Sequence, residues 1–256
     1  MRNIKLTIEY DGKNFAGWQT QPGKISIQGE IIKAIKEVTG EDVELNASGR
    51  TDAGVHALGQ VANFKTNSKI DIEKIPYAIN SKIPHSIVIK EAEEVEERFH
   101  SRYNCKGKTY RYYIRNSKFP SALNRYREFH VPQKLDIEAM KRAIKLFEGT
   151  HDFKGFKSSG GNQKKTTIRT LTKCELKKEG DLLSIELSGD GFLYNMVRII
   201  AGTILDVGLG KIKEEEIPSI LESGNRSLAG RTLPPHGLYL VEVRYILPDV
   251  RLGDVH

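Results

Sequence analysis

The stretch Gly49-Arg50-Thr51-Asp52-Ala53-Gly54 sets one carboxylate between glycines, with strand-like sequence on either side. Glycine reaches backbone angles closed to other residues, so a loop of this composition can lift a polar side chain into a cleft. Asp52 is the side chain it would present, and a carboxylate in a cleft can act as a nucleophile. The other use of an aspartate at such a place is to hydrogen-bond the backbone of its own tight turn. Composition leaves both uses open and favours the turn.

A second set interleaves cations with rings: Lys106, Lys108 and Arg111 among Tyr110, Tyr112 and Tyr113. Cations suit phosphates and aromatic faces suit unpaired bases, a mixture that fits RNA recognition. Tyrosine is favoured in any strand, however, and a lysine on a wet face needs no partner, so the two readings stand level. Lys154, Lys157, Lys164, Lys165 and Arg169 bracket Ser158-Ser159-Gly160-Gly161-Asn162-Gln163, which reads either as a clamp for a polyanion or as an ordinary surface loop. Arg198 follows Val197 at the start of an apolar helical stripe; there it either reaches a central cleft or is solvated.

Other chemistries lack their residues. Histidines 56, 85, 100, 130, 151, 236 and 256 have no i, i+4 partner, so no metal site is expected. Cys105 and Cys174 stand far apart, without a C-x-x-C pair, which excludes a disulfide framework or zinc knuckle and fits a reducing, cytoplasmic setting. The Walker pattern is absent, no G-x-G-x-x-G follows the first strand, and G-x-S-x-G is missing, so nucleotide cofactors and a serine elbow lose support.

The elements that must hold these residues follow from periodicity. Ile4, Leu6, Ile8 and Tyr10 alternate with Lys5, Thr7 and Glu9, a half-buried strand ending at Asp11-Gly12. Ser26 caps a helical pattern of Ile27, Ile31, Ala34, Ile35 and Val38 that stops at Gly40. Strands from about 43 to 47 and 60 to 65, a short helix near 72 to 80 and a strand near 87 to 95 complete a β-α-β-β-α-β series. A second such series runs from the Tyr110 strand through a helix at 137 to 147, strands at 167 to 176 and 183 to 187, the Val197 helix, a polar helix near 214 to 222, and a strand at 239 to 245. The expected fold is therefore α+β: two ferredoxin-like units, residues 1–104 and 105–247, with a tail at 248–256. Their sheets would join into one mixed, mainly antiparallel sheet of about eight strands, with helices on one face and a cleft between the halves.

The chain has 256 residues, 38% of them hydrophobic and 29% charged, enough apolar material for a large core and too little charge for disorder. Lysine and arginine number 40 against 33 acidic residues, a net charge of +7 that raises a nucleic-acid reading only somewhat. No apolar run approaches the roughly 20 residues of a membrane span, and the residues after Met1 alternate without the apolar stretch of a signal peptide, so neither a membrane span nor a signal peptide is expected.

Taken together the segments resemble the TruA family of tRNA pseudouridine synthases, from Tyr10 to about Leu240. The resemblance rests on Tyr10-Asp11-Gly12 with Phe15-Ala16-Gly17-Trp18-Gln19, on Ser48 through Ala57, and on Phe99-His100 followed by Lys108-Thr109-Tyr110-Arg111-Tyr112. Gly149-Thr150-His151-Asp152-Phe153, Gly191-Phe192 with Asn195-Met196-Val197-Arg198, and Pro234-Pro235-His236-Gly237-Leu238 follow in the same order. Ser101 and Leu233 stand where the family often has alanine, and neither is expected to touch the chemical groups.

The resemblance implies isomerisation of uridine to pseudouridine at positions 38 to 40 of the tRNA anticodon stem-loop, without metal or organic cofactor, by a homodimer in which one tRNA spans both subunits. Asp52 matches the family's essential aspartate, Arg198 its partner cation, and Tyr110 the tyrosine that stacks on the target uracil and is expected to help remove the C5 proton after the base rotates. Arg50 matches the residue that holds the target nucleotide out of its stack. Lys106, Lys108, Lys164 and Lys165 are the candidate phosphate contacts.

Overall fold

The computed structural model describes residues 1–160 and 166–245. Alternation in the first strand, β1 (Arg2–Tyr10), buries Ile4, Leu6, Ile8 and Tyr10 on one side. Against that side packs α1 (Ile27–Thr39), through Ile27, Ile31, Ala34 and Ile35. Its ends are set by the residues the sequence marks: Ser26 accepts from the Gly29 N–H, and Gly40 closes the helix at φ 75°.

The remaining elements are β2 (Asn46–Ala47), β3 (His56–Thr66), α2 (Ile75–Asn80), β4 (Ile87–Val95), β5 (Cys105–Arg115) and β6 (Phe129–His130). They continue with α3 (Ile137–Lys145), β7 (Gly149–Asp152), β8 (Ile168–Glu179), β9 (Leu182–Gly189), α4 (Met196–Gly208), α5 (Ile217–Ser223) and β10 (Leu238–Tyr245). One mixed sheet of ten strands runs β4-β1-β3-β10-β5-β9-β8-β7, with β2 beside β3 and β6 beside β5. Each half has the expected ferredoxin-like order, its last strand beside its first: β4-β1-β3-β2 and β10-β5-β9-β8.

The halves meet where β10 pairs with β3 in parallel over two residues, Tyr239 with His56 and Leu240 with Ala57. The expected strand at 43–47 shrinks to Asn46–Ala47. The free edge of β3 is shared, β2 pairing at Asn63 and Ala62 and β10 at the opposite end. The strand expected from about residue 60 accordingly begins at His56. The polar helix expected at 214–222 is a 3-10 turn, Glu214–Glu216, followed by α5.

Across the junction the apolar face is continuous, from Tyr10 through Ala57, Leu240 and Tyr110 to Leu187, each register partner to the next. The opposite face is polar and laced by cross-strand ion pairs, Lys5–Glu93 at 2.8 Å and Arg111–Glu186 at 2.6 Å. α4 is the most enclosed helix, buried from Met196 to Gly208 except at Arg198. Among the described residues no helix is long and apolar enough to cross a membrane.

Candidate active site

The loop from Ser48 to Val55 enters and leaves through fixed points. At its base the Ser48 N–H donates to Val61 O (2.8 Å), the Ser48 hydroxyl to Gln60 Oε1 (2.7 Å), and Gln60 Nε2 to Gly49 O (3.0 Å). In its middle the Tyr10 hydroxyl pairs with Thr51 Oγ1 (2.7 Å), and the Trp18 N–H donates to Thr51 O (3.0 Å). Gly17, at φ 99°, passes so near that a Cβ there would lie 2.7 Å from Thr51 O. At its far end the Val55 N–H returns to Asp52 O (3.1 Å). His56 Nδ1 accepts from the Gly12 N–H (3.1 Å), while its Nε2 faces Tyr126 O at 2.9 Å.

Every hydrogen bond that shapes this turn comes from backbone or from residues other than Asp52's carboxylate. That side chain projects into an open cleft of about 130 Å³ and keeps 41% of its surface exposed. Among the described residues its ion-pair partner is Arg198, whose Nη1 lies 4.0 Å from Asp52 Oδ2. Presentation, rather than turn closure, is the use the structure gives Asp52.

The opposite wall is the first turn of α4. Arg198 donates from Nε to Leu233 O (2.6 Å) and from Nη1 to Asn195 Oδ1 (2.7 Å), and its own carbonyl accepts the Leu233 N–H (3.3 Å). Between the walls Tyr110 rises from β5, buried and set edge-on to Phe192 with ring centroids 5.0 Å apart. Arg50 stands exposed in the lining of the same cleft, and Leu238 of β10 completes it.

Burial holds the Asp52 carboxyl above its ordinary range, and the nearby Arg198 cation pulls it part of the way back. Arg198 is pushed down by burial and supported by Asp52. Tyr110 is pushed well up, by burial first and by the charge of its neighbours second, so its phenol keeps its proton at neutral pH. Two groups of opposite charge thus face one another in a partly dry cleft, with a protonated ring between them. Such a cleft can take a flat, polar, uncharged ring within reach of the carboxylate, whose negative charge would pass to the ring on attack.

The sequence matches the family model described as tRNA pseudouridine synthase, over residues 6–104 and 143–246. The chain belongs to that family. Proteins called tRNA pseudouridine synthase A from Acetivibrio thermocellus and Caldicellulosiruptor saccharolyticus are 57% and 54% identical to it, each over 96% of this chain and all of the relative. A protein called tRNA pseudouridine synthase A 2 from Clostridium perfringens is 53% identical over the same shares. As a member of the tRNA pseudouridine synthase family the chain is an enzyme, an isomerase acting on uridine in tRNA.

Asp52 and Arg198 lie within the stretches matched to the tRNA pseudouridine synthase family, whereas Tyr110 falls between them. The fold brings Asp52, Arg198, Tyr110 and Arg50 into one cleft. It does not bring Lys106 there; that side chain is exposed on β5, outside the lining. Lys108 turns inward, its Nζ donating to Ser48 O at 2.9 Å, so it ties the loop to β5. Lys164 and Lys165 lie outside the described residues.

Leu233 touches the chemical groups after all, since its backbone clasps Arg198 while its side chain is fully buried. Ser101 is far from them and buried, its hydroxyl donating to Asn63 Oδ1 at 2.7 Å, a bond alanine cannot make. Sequence reasoning passed over Tyr10, Gln60 and Asn195 as separate contributors. Asn195 carried a signal, because asparagine is among the side chains that best tolerate a left-handed turn before a helix. Among the described residues no group of three or more His, Cys, Asp or Glu side chains is placed to hold a metal.

Proposed function

We propose that the protein isomerises uridine to pseudouridine at positions 38, 39 and 40 of the tRNA anticodon stem-loop, with Asp52 as nucleophile. The observation that carries this reading is a carboxylate freed from its own turn, 4.0 Å from Arg198 and beside the ring of Tyr110. One Asp52 oxygen bonds either to ribose C1′ or to uracil C6, both routes being open to this geometry. The C1′–N1 bond breaks, the uracil turns, C1′ bonds to C5, the C5 proton leaves, N1 gains a proton, and the carboxylate is released. Atoms and electrons balance within the nucleotide, so the reaction calls for neither an organic cofactor nor a redox partner.

Arg198 orients Asp52 and favours its ionised form. Tyr110 gives the uracil a face to stack on, worth about 1–3 kcal/mol per base, which offsets part of the few kcal/mol needed to unstack it. Burial keeps its proton on the phenol until the base is bound, and the same hydroxyl is assigned to help take the C5 proton after the uracil turns. Arg50, on the rim, enters the stem-loop beside the extruded nucleotide. Lys106, Lys164 and Lys165 are assigned to phosphates on charge alone, and the resemblance supports a cytoplasmic homodimer.

The test is tritium release from [5-³H]uridine-labelled tRNA by the purified protein without added cofactor, beside Asp52→Ala. Release by the native protein alone is expected, with affinity of the variant for tRNA within a small factor. Normal turnover by Asp52→Ala would end the assignment of the nucleophile. Mapping pseudouridine in the product checks the three positions.

A further inference from the structure

Among the described residues, Asn195 is the non-glycine residue with a positive φ (φ 61°, ψ 6°), a left-handed conformation that side chains adopt at a cost. It precedes α4, yet its side chain makes no capping bond to that helix. Both ends of its amide are engaged elsewhere. Oδ1 accepts from Arg198 Nη1 at 2.7 Å, and Nδ2 donates to the Ser158 hydroxyl at 2.9 Å. The Ser158 N–H in turn donates to Tyr194 O at 3.2 Å, so the segment on each side of the strained residue is tied down. A strained backbone held this firmly, next to reacting groups, marks a residue whose placement matters more than its comfort.

The chemistry of the acceptor is informative. Arg198 is gripped by two neutral oxygens, the Leu233 carbonyl and the Asn195 amide, while Asp52 faces it at 4.0 Å. Neutral acceptors fix a guanidinium without cancelling its charge. We propose that Asn195 is a positioning residue of the isomerisation, aiming Arg198 Nη1 at Asp52 through a neutral acceptor so that the full cation acts on that carboxylate. The inference rests on the reading of Asp52 as nucleophile. The other groups facing this pair are Arg50 from the loop, Tyr110 and Tyr112 from β5, Tyr194 ahead of α4 and His236 before β10. Burial keeps the two β5 phenols protonated and lowers His236, so an acid added at 195 would act chiefly on the Arg198–Asp52 pair.

The experiment measures single-turnover tritium release against pH for the native protein, Asn195→Gly, Asn195→Asp and Asp52→Ala, with tRNA affinity and Tm alongside. Glycine relieves the left-handed backbone and removes the amide. Its expected rate is roughly ten- to a hundredfold lower at saturating tRNA, with unchanged affinity and no loss of Tm. Asn195→Asp tolerates the same backbone and keeps a bond to Arg198, but shares the cation's charge, so the acid limb of the rate should move up by about one pH unit. Glycine at the native rate, or aspartate with the native acid limb, would overturn the inference. An active Asp52→Ala would instead overturn the assigned nucleophile, whereas inactive Asp52→Ala beside native-like Asn195 variants would overturn the positioning role alone.

Discussion

At the scale of the residue, the carboxyl of Asp52 is held above its ordinary value by burial, with Arg198 opposing. A raised folded value means that the fold disfavours the ionised form, a cost present at neutral pH that fades as acid protonates folded and unfolded chains alike. Asp52→Asn should therefore be inactive yet at least as stable as the native protein near pH 7. The gap in Tm should close toward pH 4, and thermal unfolding at several pH values checks it. With Asp52 as the proposed nucleophile, attacking in its ionised form, the acid limb of activity should lie above the ordinary aspartate range. The loop sequence made Asp52 a candidate, but the choice between presentation and turn closure needed Tyr10, Trp18 and Gln60, which bind Thr51 and Gly49 beside it and leave the carboxylate clear.

At the scale of the element, α4 works because a second segment lies against it at close range. A Cβ on Gly202 would fall 1.8 Å from Arg231 O, and the Gly230 N–H donates to Thr203 Oγ1 at 2.9 Å. Gly202→Ala should cost about 1–3 kcal/mol in urea unfolding through overpacking, and should slow turnover by shifting the helix that carries Arg198 and the Leu233 backbone that holds it. Unchanged stability would mean that the segment yields freely. The helical stripe of Val197, Ile200, Ala201 and Ile204 was legible in the sequence, as were the Ser26 cap and Gly40 stop of α1. The length of β2 was not, because β2 pairs only at Asn63 and Ala62 of β3, and how far such a pairing runs depends on an edge remote in sequence.

At the scale of the whole molecule, one continuous sheet sets a loop of the first half against a strand and helix of the second, and the cleft lies on the helix-covered face. Each phosphate that a lysine or arginine neutralises would make tRNA binding salt-dependent. Lys164→Ala with Lys165→Ala should weaken binding and flatten the plot of log K against log salt by about one unit for each phosphate no longer neutralised. An unchanged slope in a filter-binding series would show that neither lysine binds a phosphate.

Period and punctuation in the sequence were enough for both β-α-β-β-α-β series, and the ordered motif blocks were enough for the family, because local hydrophobic alternation and short segments are read without knowing what they touch. The tertiary structure decided what depends on distance between remote residues. It set Arg198 within 4.0 Å of Asp52, turned Lys108 inward to Ser48 rather than outward, and strained Asn195 to grip the arginine. Hydrogen bonds and charge act over a few ångströms, and only the joined sheet brings these parts of the chain that near.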